Sequence, residues 1–233
     1  MEDHVAVWRV LDDRERALLE ATSDWLLRHK HWEAASGFAL SDEIKVTVAA
    51  QAALLILELG VKEYREVSAI IVYPSAMQSR SIHAGPVGGT VMRDPVPVLG
   101  EAHGQRGPVL IAWNEARYSA RHPGRGHNVV FHEFAHKLDM FDHMMDGTPP
   151  LEDRALLARW VAVCTEAYDA LRAGIDRPPL SPYGATNPAE FFAVATEAFF
   201  DAPVQLEEAE SALYDVLRDY FQQDPAARSR PAT

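Results

Sequence analysis

The stretch Phe131–Asp139, FHEFAHKLD, places His132 and His136 four residues apart with Glu133 directly after the first. On an α-helix, residues i and i+4 lie about 40° apart around the axis, so both imidazoles leave the helix on the same side. Two neutral imidazoles on one face can hold Zn2+ at about 2.0–2.1 Å each. Glu133 stands roughly 100° round from that face, where it does not compete for the ion but can reach a water beside it. That is the position of a general base in metal-assisted hydrolysis. Val129, Val130, Phe131, Phe134, Ala135 and Leu138 around the motif are apolar, which predicts a largely buried helix. Two ionisable rings on a buried helix need a partner. The plainer alternative is a surface helix whose two histidines face water.

A catalytic zinc usually takes three protein ligands and leaves a position for water. Just downstream stand Asp139, Asp142 and His143. His143 returns to the histidine face only about 10 Å further along the axis, too far to share an ion with His136. Asp139, one turn on, is better placed to accept the second N–H of a ligand histidine. The segment Tyr183–Phe200, YGATNPAEFFAVATEAFF, offers a stronger candidate. Asn187 can cap a helix with Pro188 at its first position. Glu190 then falls in the first turn beside Phe191, Phe192, Ala193 and Val194, where a carboxylate calls for a positive partner. An ion held by two histidines would supply one. Glu197, seven residues on, is a rival ligand, a supporting group behind the ligands, or an ordinary helix carboxylate. Tyr183, on the loop entering the helix, either points its hydroxyl at the oxyanion of a tetrahedral intermediate or packs the loop. A purely structural zinc would need a fourth ligand, from Glu197 or Asp139.

The bulk composition narrows the function classes. A net charge of −12, from 22 basic and 34 acidic residues, argues against nucleic acid or an anionic membrane as the main partner. One cysteine, Cys164, excludes an internal disulfide framework and a cysteine-rich metal knuckle, and it suits a cytoplasmic location. The opening MEDHVAVWRV is charged from residue 2 and lacks a signal-peptide apolar run. The run 46–59 is broken by Gln51 and Glu58 and is too short to span a bilayer.

Helices are expected over 13–31, 42–60, 128–142, 152–173, 187–201 and 205–222, with a frayed tail at 224–233. VSAIIVYP (67–74) and GPVLIAW (107–113) read as strands, and 75–107, rich in Gly and Pro, reads as hairpins and loops. Strands in the middle with helices on both sides suggest an α+β layer arrangement. The expected organisation is one domain, with 1–62 a helical N-terminal part and 63–223 the core. Segments 84–107 and 174–186 are each placed to cover the site.

HEFAHKLD followed by a distant NPAEFFAV and TEAFF, with GHN just before the first motif, resembles the Mlc titration factor A family of bacterial zinc-dependent peptidases. The likeness takes in most of the chain, including LSDEIKVTVAAQAALLILELG, GPVLIAW and the terminal FQQDP. The pairing of HEFAH with YGATNPAEFF is also similar to the protease domain of anthrax lethal factor. The resemblance implies a zincin-like gluzincin fold, with a small mixed sheet, an HExxH helix and added N- and C-terminal helices. It implies one Zn2+ held by His132, His136 and Glu190, with Glu133 as base and Tyr183 as the oxyanion-side hydroxyl. Ile111, Ala112 and Trp113 would form the sheet edge along which a peptide adds as an extra strand. Members are cytoplasmic, with aminopeptidase-like activity on small peptides. A second role, sequestering a transcription repressor, is implied by the family's namesake.

Overall fold

The computed structural model describes residues 5–35, 37–75, 83–84, 91–92, 107–140 and 144–230. Asp142, His143 and most of the Gly/Pro-rich segment 84–107 lie outside the described residues.

Helix α1 (Asp13–His29) starts at a reciprocal cap, in which Asp12 accepts the Glu15 N–H and Glu15 accepts the Asp12 N–H. Leu19, Thr22, Ser23 and Leu26 bury one face of it. The helix ends two residues earlier than expected, because the chain turns extended at Lys30 and His31–Ala34 becomes strand β1. The Lys30 ammonium donates to the carbonyls of Tyr64 and Arg65 and lies over the Trp25 ring, which ties this turn to a distant one. HWEA carries no β-branched run; its strand character comes from pairing with the segment Ala69–Tyr73.

Helix α2 (Asp42–Leu55) is capped by Ser41 and buried on nearly every side. Its alanines 49, 50, 52 and 53 let neighbouring elements approach closely. It stops at Leu55 rather than 60, and the chain unwinds through turns to Gly60 at φ 87°. Strands β2 (Ala69–Tyr73) and, further on, β5 (Val109–Ala112) complete a sheet of order β1-β2-β5. Its three strands are all parallel, with Ile70 opposite Val109 and His31 opposite Ala69. The expected mixed sheet is therefore replaced, among the described residues, by this parallel sheet and a separate antiparallel ribbon of β3 (His83–Ala84) and β4 (Val91–Met92). Strands β1 and β2 run parallel because α2 carries the chain back between them. Ile70, Val72, Val109 and Ile111 form the buried face of the sheet.

Trp113 does not extend β5, as its sequence neighbours suggested. It opens helix α3 (Trp113–Arg121), which the sequence reading did not anticipate. Helix α4 (Val129–Asp139) follows a short loop, and α5 (Arg154–Arg172) is capped by Asp153. After a 3-10 turn at Pro182–Ala185, helix α6 (Pro188–Asp201) runs through the centre, with every residue buried from Phe191 to Asp201. α4 and α6 share the most extensive contact between elements among the described residues.

The single helix expected over 205–222 is two, α7 (Pro203–Ala209) and α8 (Ser211–Phe221). They break at Glu210, whose carboxylate takes both arms of the Arg177 guanidinium at 2.5 and 2.6 Å. The tail is not frayed where it is described. Asp224 caps a short helix α9 (Pro225–Ser229), Ala226 is fully buried and donates to the Tyr214 hydroxyl oxygen, and Arg228 pairs with Glu15 near the other end of the chain. Phe192, Phe199 and Phe200 of α6 pack with Trp160, Tyr214, Tyr220 and Phe221 in an aromatic cluster. One continuous apolar core runs from Leu11 to Ala226. No described helix is long and apolar enough to cross a membrane.

Candidate metal centre

Asn128 begins the site by capping α4; its side-chain oxygen accepts the N–H groups of Val130 and Phe131. Val130, Phe131, Phe134, Ala135 and Leu138 bury one side of the helix, leaving His132, Glu133 and His136 partly open. α6 is capped in the same way. Asn187 accepts the Glu190 N–H at 2.9 Å, with Pro188 in the first turn, so Glu190 starts the helix beside the two histidines.

Three electron-pair donors converge there. His132 Nε2 is 3.0 Å and His136 Nε2 is 3.5 Å from Glu190 Oε2, and the two imidazole nitrogens are 3.2 Å apart. Glu190 Oε2 is buried and, despite these short distances, is not aligned for a hydrogen bond. These residues are the described group able to hold a metal ion, with ligand atoms all within 4.8 Å of one another. The pocket favours positive charge. Burial opposes a charge on the His132 ring, but the Glu190 and Glu197 carboxylates outweigh it and hold that ring up at about 10. Burial likewise opposes ionisation of Glu190, yet the two histidines bring it down to about 2.

Glu197 sits behind His132, not among the donors. Its Oε1 accepts from His132 Nδ1 at 2.7 Å, which leaves Nε2 free to face Glu190. Its Oε2 takes the Asn128 N–H at 2.5 Å and His127 Nδ1 at 2.7 Å. One turn further along α6, Asp201 Oδ2 accepts the N–H groups of Arg125 and Gly126 at 2.8 and 2.7 Å. Gly126 holds φ 69° with no room for a side chain, since a Cβ would lie 2.9 Å from the Pro179 carbonyl oxygen.

Asp139 is fully buried at the far end of α4. One of its oxygens accepts the Gly147 N–H at 3.0 Å; the other, like His136 Nδ1, has no partner among the described residues. Burial pushes the Asp139 carboxyl up to about 6. Gly147, at φ 80°, passes so close to α6 that a Cβ would stand 2.3 Å from the Pro188 carbonyl oxygen, and its own carbonyl accepts from Trp160. The loop thereby spaces the two donor-bearing helices.

Burial raises the Glu133 carboxyl above its ordinary value, against the pull of His132 and His136. Tyr183 is partly exposed, its ring 6.0 Å from that of His132. Burial, then the Glu190 and Glu133 carboxylates, push its phenol up to about 12. Ser181 and Thr186 bond to its backbone and fix the turn that carries it. Ile111 and Ala112 lie in β5, at the end of the strand order and packed against α4, whereas Trp113 belongs to α3.

The sequence reading missed His127 and Asp201. No local pattern marks His127 beyond its place in GHN. Asp201 carries the one available signal, a carboxylate at the end of an otherwise apolar helix.

The family model described as glucose-regulated metallo-peptidase M90 matches residues 1–222. An uncharacterised protein of Synechocystis sp. is 38% identical over 226 residues, covering 96% of this chain and 82% of its own. Proteins named Mlc titration factor A are similar at 31% in Serratia proteamaculans (94% of this chain, 84% of theirs) and at 32% in Pectobacterium atrosepticum (94% and 83%). With a two-histidine, one-carboxylate donor set at its centre and a match along nearly its whole length, this chain belongs to the M90 family of glucose-regulated metallopeptidases.

Proposed function

We propose that this protein is a zinc-dependent peptidase of the HExxH…E type, with His132, His136 and Glu190 as metal ligands, Glu133 as general base and Tyr183 as the oxyanion-side donor. The observation that carries the reading is the spacing of the donors, at 3.0, 3.2 and 3.5 Å. A tetrahedral ion with bonds of about 2.0–2.1 Å separates its donors by roughly 3.3–3.4 Å, and the observed spacing is consistent with that. Two nitrogens and one carboxylate oxygen suit that ion, and three protein ligands leave a position open for chemistry. When bound, the ion supplies Lewis acidity, lowering the pKa of water and polarising the carbonyl to be attacked.

The protein's own groups supply the rest. Glu133 stands beside both histidines without being drawn into the donor set. Its raised pKa suits a carboxylate that takes a proton from water and later passes it to the leaving amine. Tyr183 keeps its proton at neutral pH and can donate to the developing oxyanion. Glu197, accepting from Nδ1, favours for a neutral His132 the tautomer whose Nε2 lone pair would face the ion. A peptide adding to β5 would lie beside α4, and Ile111 and Ala112 are the proposed edge positions. The family resemblance supports aminopeptidase-like action on small peptides. The lone Cys164 is in keeping with action in the cytoplasm.

Glu133→Gln should retain one zinc per chain by elemental analysis while losing about 10²–10⁴-fold in peptide turnover. His132→Ala should lose both zinc and turnover. Undiminished turnover in Glu133→Gln would sink the mechanism.

The name of the Serratia and Pectobacterium relatives favours a second reading, in which this chain binds and withholds a transcription repressor of the Mlc kind. Purified repressor captured equally well by wild-type protein and Glu133→Gln would separate that role from catalysis.

A further inference from the structure

We propose that His127 is a positioning residue for the metal centre: through Glu197 it holds the His132 ring so that its Nε2 faces Glu190. This rests on the metal site proposed above and assigns part of its order to a residue outside it.

Glu197 is almost completely buried, and a carboxylate offers about four acceptor positions that burial away from water leaves to the protein to fill. Three donors meet it from three different groups. His132 Nδ1 occupies Oε1, and the Asn128 N–H and His127 Nδ1 share Oε2. His127 is the only one of the three whose side chain is mostly in solvent, at 68% exposure, so water could have satisfied it at little cost. It instead lies against a carboxylate with only 2% of its side chain exposed. Its contribution is a second bond to Oε2, added to that of the Asn128 N–H. Held by two donors on Oε2 and one on Oε1, the carboxylate is restrained from rotating and stays on the Nδ1 side of His132, across the ring from the donors. That separation is why Glu197 supports the site and does not compete for the ion. A ligand histidine held by a fixed acceptor keeps one tautomer and one ring angle, which lowers the cost of closing on a metal. His127 reaches none of the three donors and acts only through Glu197.

Truncating this side chain should leave the loop in place. Asp201 holds the N–H groups of Arg125 and Gly126, Asn128 caps α4, and the Asn128 amide donates to Gln51 Oε1 at 2.8 Å. None of these bonds involves the His127 ring. The informative pair is therefore His127→Ala, which removes the donor, and His127→Asn, whose amide N–H can occupy the Nδ1 position.

The experiment loads wild-type and both variant proteins with Zn2+ and follows release into an excess of a chromogenic chelator. The visible spectrum of the Co2+-substituted forms and the thermal midpoints of the zinc-free proteins complete the set. His127→Ala is expected to release zinc roughly tenfold faster than wild type and to shift the Co2+ spectrum, with His127→Asn returning close to wild type in both. Release from His127→Ala at the wild-type rate overturns the proposal. So does release from His127→Asn as fast as from His127→Ala, since the ring's bulk and not its N–H would then matter. A lowered zinc-free midpoint without faster release assigns His127 to the fold alone and also overturns it. Failure of the underlying metal site shows separately, as wild-type protein that holds no zinc, and then both readings fall.

Discussion

Helices α4 and α6 lie side by side and both border the proposed metal centre, yet they are built on opposite plans. α4 is one-sided. Val130, Phe131, Phe134 and Leu138 face the core while His132, Glu133 and His136 face the site, so function repeats with the helix period. α6 is enveloped, buried on all sides beyond its first turn, and has no polar face. Its functional residues are three acids placed at different depths. Glu190 joins the donors, Glu197 stands behind His132, and Asp201 grips the loop leading into α4. A one-sided helix advertises its chemistry through spacing. An enveloped helix can do so only through buried charge, because each acid there must find a specific partner.

The sharpest test of this contrast separates two acids of α6. Glu190→Ala should leave no stoichiometric zinc after dialysis. Glu197→Gln should keep zinc but bind it about 10–100-fold more weakly, read by competition with a chelator of known affinity. Equal losses would erase the distinction between donor and support. The enveloped plan itself predicts a large folding penalty. Phe199 is fully buried, stacked on Phe221 and tilted against Tyr214, so Phe199→Ala should cost about 3–5 kcal/mol in urea denaturation of the zinc-free protein. A cost below about 0.5 kcal/mol, the scale of an ordinary surface substitution, would mean that α6 is not the structural axis it resembles.

The smallest effect concerns Cys164, on α5. Burial pushes its thiol from an ordinary 9.0 up to about 12. Because the folded value lies above the unfolded one, the stability gained from the protonated thiol is fully present below about pH 9. It is lost as pH rises through about 12. Near pH 8, alkylation of the native protein should be on the order of 10²–10³-fold slower than in denaturant. Comparable rates would show the thiol to be accessible and α5 looser than its packing implies.

Much of the site is legible along the chain because helices carry their own geometry. The four-residue interval between His132 and His136 has one meaning on a helix. The caps Asp12, Ser41, Asn128, Asp153 and Asn187 all announce helix starts through hydrogen bonds that span only two or three residues. The helix ends are less legible, because α1 stops where Lys30 is drawn to Tyr64 and the last long helix breaks where Glu210 meets Arg177. Strand β1 escaped notice for the same reason, because HWEA is a strand only in the company of β2.

What the sequence by itself determined, then, is the set of chemical parts. It specifies two imidazoles on one helical face, a carboxylate beside them, and an acid in the first turn of an apolar helix. The contacts that set Glu190 apart from Glu197 come only from the tertiary structure. Seven residues apart on one helix, they face nearly the same way, and no local rule separates donor from support. The choice was made by what each one meets across the helix interface. Glu190 meets two ring nitrogens, whereas Glu197 meets three N–H groups, including that of His127 from the preceding loop. A buried carboxylate among N–H groups is already satisfied, whereas one beside two ring nitrogens needs a shared positive charge, a proton or the proposed metal ion.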